Sequence, residues 1–329
     1  MNDIQLATQK TTALLLSCAF AAALTISTTA NSARGGQIYV TNYNSSGGFK
    51  GPVGEYDSIT GTTINAALVS GLSQSQGIAV SGANLFVTDA GDGNAGHGTI
   101  REYNAITGAT VNAALVSGLN VPTSIAVSGA NLLVTESSRV SEYNATTGAP
   151  VNAALIPGLD FPIGIAVSGA NLFIANGSSG TIGEYNATTG ATVNAALVSG
   201  LGFPAGIAVS GSKFFVTDNN NGTVGEYDAT TGAAVNASLI TGLVRPWGIA
   251  AYGGNLFVVN QGGGAIGEYT TSGATVNAAL VTGLNVPSGN APWGIAVVPE
   301  PNSLVLAALG IAAWAACGWR LHIAHVVTA

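Results

Sequence analysis

Few residues in this chain could do chemistry. Catalysis at neutral pH draws on nucleophiles, general acids and bases, or bound metals. The 329 residues include only three histidines and two cysteines. Cys18 and Cys317 sit in apolar segments near the two ends, so the stretch between them has no thiol to act as nucleophile, disulfide partner or metal ligand. His97 is the one histidine between residues 34 and 298, in the glycine-rich stretch AGDGNAGHG. With no evident partner in sequence, it reads as a solvated loop residue. No serine stands in a nucleophile-elbow context, and no acidic pair stands out as a couple for glycoside hydrolysis. The polar side chains that do stand out recur. Asn42, Asp89, Glu136, Asn176, Asp218 and Asn260 close six copies of one apolar run, as in NLFVTD. A ring of such oxygens could hold cations or sugar hydroxyls. It could also be six side chains capping their own turns. Presence in every copy favours caps, because a ligand site usually breaks the symmetry of a repeat.

The feature that does break the symmetry is aromatic. The residues directly before six copies of GIAV are Gln76, Thr123, Ile163, Ala205, Trp247 and Trp293. None is a carboxylate or a histidine, so converging metal ligands are missing from this set, and no metal or cofactor is expected. Trp247 and Trp293 both occur as PWG, and Arg245 lies two residues before the first. Indole faces stack on sugar C–H faces or on apolar peptide side chains, and a guanidinium binds carboxylates. Trp247, Trp293 and Arg245 are therefore the candidate binding residues. The other reading has the two tryptophans plugging a channel.

A repeat must position these residues. GIAV or a near copy begins at Gly77, Ser124, Gly164, Gly206, Gly248 and Gly294, at intervals of 47, 40, 42, 42 and 46 residues. The first five copies are followed by a Ser-Gly or similar turn, a run like NLFVTD, a run like GTIGEY, and then NATTGATVNAALVSGL or a variant. Each unit reads as four short strands, with NATTG as a hairpin turn opened by Asn or Asp and closed by a left-handed Gly. VNAALV is ambiguous, since Ala and Leu also favour helix; its length and flanking glycines argue for strand. Four strands in about 43 residues, repeated, predict an all-β, six-bladed β-propeller. The repeat begins partway through a unit, at QIYVTN, and ends on an extra GIAVV at residues 294–298. The last strand can thus complete the first blade and close the ring. An open solenoid, the runner-up, would not need this phase shift.

On the pattern P-x-G-I-A-V-x-x-x-x-N-L-F-V-T-D, clearest in FPAGIAVSGSKFFVTD from Phe203 to Asp218, the body resembles the NHL-repeat and gluconolactonase-like propellers. The resemblance covers residues 37–298 and implies the fold. Such propellers host lactonases, lyases and binding modules alike, so it does not choose an activity. The metal ligands it would imply at the channel mouth are absent from the six positions before GIAV.

The ends differ from the body. Lys10, an apolar run over 13–26 and small residues up to Ala30 or Ala33 read as a helical secretory signal, giving domains of 1–33, 34–298 and 299–329. Pro299, Glu300 and Pro301, an apolar run over 304–319 and then Arg320 resemble the PEP-CTERM sorting signal. That family usually closes on several arginines, whereas this chain has one, followed by His322 and His325. The resemblance implies recognition by an exosortase-type protease, transient membrane anchoring through the apolar helix, and a setting of exopolysaccharide production. Sixteen helical residues rise about 24 Å, short of a bilayer core of about 30 Å, so a permanent span would need help from its flanks. Only 7% of residues are charged, the net charge is −7, and basic residues stand singly, which argues against nucleic acid as a partner. The expected function is a secreted or surface-retained bacterial propeller that binds a matrix polysaccharide or surface protein without catalysis. The alternative is a propeller hydrolase or lyase whose site the sequence does not reveal.

Overall fold

The computed structural model describes residues 36–44, 51–284 and 290–299. The signal peptide, the apolar tail and the residues Glu300, Pro301 and Arg320 lie outside them. Pro299 is exposed and outside regular structure.

Among the described residues, twenty-four strands form six antiparallel four-stranded sheets. Blade 1 is composite: Asn290–Val298, Gln37–Asn44, Val53–Asp57 and Thr63–Val69 lie side by side in that order. Blades 2 to 6 follow in chain order, with inner strands Ser75–Ser81, Ser124–Ser128, Pro162–Ser168, Pro204–Ser210 and Pro246–Tyr252. The closing strand is longer than the GIAVV run. It starts at Asn290, pairs Val298 with Gln37 and Asn290 with Asn44, and bulges between Val40 and Asn42. An all-β six-bladed propeller closed by its C-terminal strand is therefore the fold.

Local chemistry explains each blade. The inner and second strands meet at a tight turn with a left-handed glycine, such as Gly82 at φ +59°. At the third turn Asn186 Oδ1 accepts from the backbone N–H groups of Thr188 and Thr189, and Gly190 has φ +69°. The ambiguous VNAALV segment is a strand interrupted by a bulge. In blade 4 the pairing jumps from Ile182↔Val198 to Glu184↔Asn194, and Asn194 Oδ1 accepts from the Ala196 N–H. All six outer strands repeat that Asn turn. The bulge leaves the first five residues of each outer strand largely exposed and blunts an edge that carries no charge.

The core lies between blades. Phe173, Ile182 and Val198 of blade 4, for example, pack on Ile207, Phe214 and Tyr227 of blade 5. Blade 6 packs on blade 1 in the same way, with Phe257 and Ile266 against Ile38, Val40 and Ile295.

Candidate functional site

The six inner strands line a cavity of about 140 Å³ along the ring axis, in three layers. Ile78, Ile125, Ile165, Ile207, Ile249 and Ile295 form an apolar layer. Above it lie Gly77, Ser124, Gly164, Gly206, Gly248 and Gly294. The mouth is formed by Gln76, Thr123, Ile163, Ala205, Trp247 and Trp293. Five of these six positions are glycine, and at those adjacent backbones nearly touch. A Cβ on Gly206 would stand 2.5 Å from the Trp247 carbonyl oxygen, and one on Gly294 would stand 2.3 Å from that of Gln76.

Buried threonines at the ends of second strands stitch the mouth together. Thr41 Oγ1 accepts from the Gly294 N–H at 2.8 Å and donates to the Gln76 carbonyl at 2.6 Å. Thr217 Oγ1 accepts from the Gly206 N–H at 2.7 Å and donates to the Trp247 carbonyl at 2.6 Å. One hydroxyl therefore fixes the backbone of Gln76 against that of Trp293's neighbour, across the seam where the chain closes.

The two tryptophans meet, with ring centroids 4.0 Å apart and planes at 51°. Tyr43 lies 4.7 Å from Trp293, and Phe203 lies 6.0 Å from Trp247, both in tilted contact. The result is a continuous run of four aromatic rings at one side of the mouth. Tyr43 and Phe203 were missed by the sequence reading. Tyr43 had an available signal, since the residue after Asn42 in the other blades is never aromatic; Phe203 had none, because Phe161 occupies the same place before Pro162. Arg245 lies outside the cavity lining, is exposed, and makes no ion pair among the described residues. Its φ of +52° is shared by Val121 and Phe161, which likewise precede the proline that starts or leads into an inner strand. Such backbone is strained for non-glycine residues.

Two kinds of environment surround the polar ring. Asp89 accepts from the N–H groups of Ser73 and Gln74 and pairs with Arg101 at 3.1 Å. Asp218 accepts from those of Gly202 and Phe203, Glu136 from that of Asn120, and Asn260 from that of Val244. These four side chains hold the loop leading into their own blade's inner strand. Glu136 also takes Arg139 at 3.1 Å and the hydroxyl of Ser141. Asn176 and Asn42 differ: among the described residues, the Oδ1 of each is buried without a hydrogen-bond partner. Gln76 Oε1 and Trp293 Nε1, both at the cavity mouth, share that condition.

His97 does have a neighbour. It lies not in a loop but in the exposed start of blade 2's third strand, Ala95–Asn104, and its Nδ1 is 2.9 Å from Asp92 in the turn before that strand. Hydrogen bonds from Asn94, and then from His97, pull the Asp92 carboxyl down to about 2. Among the described residues, no three His, Cys, Asp or Glu side chains cluster as a metal site would require.

The PEP-CTERM protein-sorting motif matches residues 297–320. It implies recognition by exosortase and marks an extracellular or cell-envelope protein of Gram-negative-type bacteria. No curated protein matches the chain. Among solved structures, a chain from the crystal structure of the nidogen/laminin complex is similar, with a TM-score of 0.63 and 16% identity over 79% of this chain and 98% of that one. At that identity the likeness is one of fold. Among the described residues no helix is long and apolar enough to cross a membrane.

Proposed function

We propose that this protein is a non-enzymatic binding module of the bacterial exterior, whose channel mouth takes a matrix polysaccharide or a surface-protein partner. The observation that carries this reading is the run Tyr43–Trp293–Trp247–Phe203, contributed by three blades and continuous only in the closed ring. Aromatic faces bind sugar rings and apolar side chains without any catalytic group. The sorting motif supports an exterior setting, with the apolar tail holding the chain in the membrane until exosortase reads it. A glycan and peptide array probed with the full-length protein, beside the double variant Trp247→Ala, Trp293→Ala, tests the reading. Binding should be lost in the variant while its melting curve is kept; unchanged binding moves the site elsewhere.

A hydrolase or lyase is the second reading, favoured by the His97–Asp92 couple, in which a carboxylate orients an imidazole. Turnover of a lactone or glycoside that disappears in His97→Ala would establish it.

A further inference from the structure

Among the described residues, the mouth holds one buried donor and one buried acceptor, each without a partner. Trp293 Nε1 can only donate and Gln76 Oε1 can only accept. They belong to adjacent inner strands, Asn290–Val298 and Ser75–Ser81, and both side chains line the cavity. Gln76 is only 5% exposed. Thr41 fixes the two backbones against each other. Buried polar groups without partners are costly, so a ligand that satisfies both gains what the free protein forgoes.

From this, resting on the binding-module reading, we propose that the mouth recognises the acetamido group of an N-acetylated sugar. A secondary amide presents one N–H and one C=O. The N–H donates to Gln76 Oε1, and the C=O accepts from Trp293 Nε1–H. The acetyl methyl faces apolar lining, which Ile163, Ala205 and the isoleucine layer provide. The sugar ring lies against the indole of Trp247. Thr123 is not part of this recognition, because its hydroxyl is already engaged with Thr135 and the Pro162 carbonyl. A hydroxyl in place of the acetamido group cannot bridge donor and acceptor with the same reach, and it leaves the apolar wall unfilled. A sugar is favoured over a peptide because the mouth offers one donor and one acceptor beside a broad aromatic face, not a ladder of backbone partners.

Isothermal titration of the full-length protein with three uncharged probes tests the proposal: N,N′,N″-triacetylchitotriose, cellotriose, and a trialanine peptide blocked at both ends. The acetylated trisaccharide should bind, with cellotriose weaker by about tenfold or more, as expected when a buried polar pair stays unpaired. The blocked peptide should not bind. Gln76→Leu and Trp293→Phe, checked for unchanged melting, should each bring the acetylated sugar down to the level of cellotriose. Equal affinity for the two sugars, with loss in Trp247→Ala, would overturn the acetamido assignment and leave the polysaccharide reading standing. Preference for the peptide would overturn the sugar assignment in favour of a protein partner. Binding of none of the three would overturn it outright, and an array that is also blank would remove the binding-module reading with it.

Discussion

At the scale of single residues, inner glycines and second-strand threonines hold the mouth in shape. Gly206→Ala drives a Cβ against the Trp247 carbonyl, which is backbone and cannot swing aside. The expected cost is about 1–3 kcal/mol, read as a lowered denaturation midpoint. Thr217→Val removes both hydrogen bonds of that hydroxyl and strands the Gly206 N–H, again at about 1–3 kcal/mol. The same residue scale sets a pH dependence. Each third strand buries a glutamate; Glu142 and Glu268 take Asn131 and Asn255, and Glu226 takes Lys213. Among the described residues no such bond forms in blades 2 and 4, and burial raises the carboxyls of Glu102 and Glu184 above their ordinary 4.5. A raised acid favours folding fully below its unfolded value, and that contribution is lost as pH rises through the folded one. Glu184→Gln should therefore melt higher than the parent at pH 8, with the gain vanishing below about 4.5. An equal gain at both pH values would refute the ionic cause. The glycines and glutamates were readable as repeat positions. The unpartnered Gln76 and Trp293 atoms were not, because their relation arises only when residues more than 200 positions apart meet at the closure.

At the scale of elements, the closing strand carries the most consequence. Without it, Gln37–Asn44 becomes an unpaired inner edge, and Ile295 leaves the core between blades 6 and 1. A chain truncated after residue 290 should lose about 3 kcal/mol or more and associate with rising concentration. Melting at the parent's temperature would show that closure lies elsewhere. The phase of the repeat made this strand legible, since QIYVTN enters at the second strand and GIAVV is left over. Its extra length was not, because 290–293 lack the repeat's apolar alternation, and residues 290–292 pair with Asn44, Tyr43 and Asn42 only after a bulge shifts the register. The outer strands show the reverse case. VNAALV was ambiguous on propensity, and the Asn turn within it explains why: two residues leave the ladder, and Ala suits that excursion as well as it suits a helix.

At the scale of the whole molecule, the ring and the sorting motif share residues. The motif match begins at Val297, and Val297 and Val298 are the last paired residues of the closing strand, opposite Ile38 and Gln37. Among the described residues, none after Val298 takes part in blade 1. A cut at or beyond Pro299 therefore leaves every inter-strand pair of the described residues intact, whereas a cut a few residues upstream would begin to open the ring. The propeller can survive removal of its tail only if processing stays on the far side of that boundary. We expect the mature protein in its host to lack Cys317 and everything after it, with a new C-terminus near Pro299, and to melt at the same temperature as the full-length chain. Intact-mass analysis of protein recovered from the envelope or matrix reads the first part, and a thermal melt reads the second. A mature species still carrying Trp319 and Arg320 would mean that the tail stays as an anchor. A terminus upstream of Val297 on a fully stable protein would mean that the closing strand is not what holds the ring.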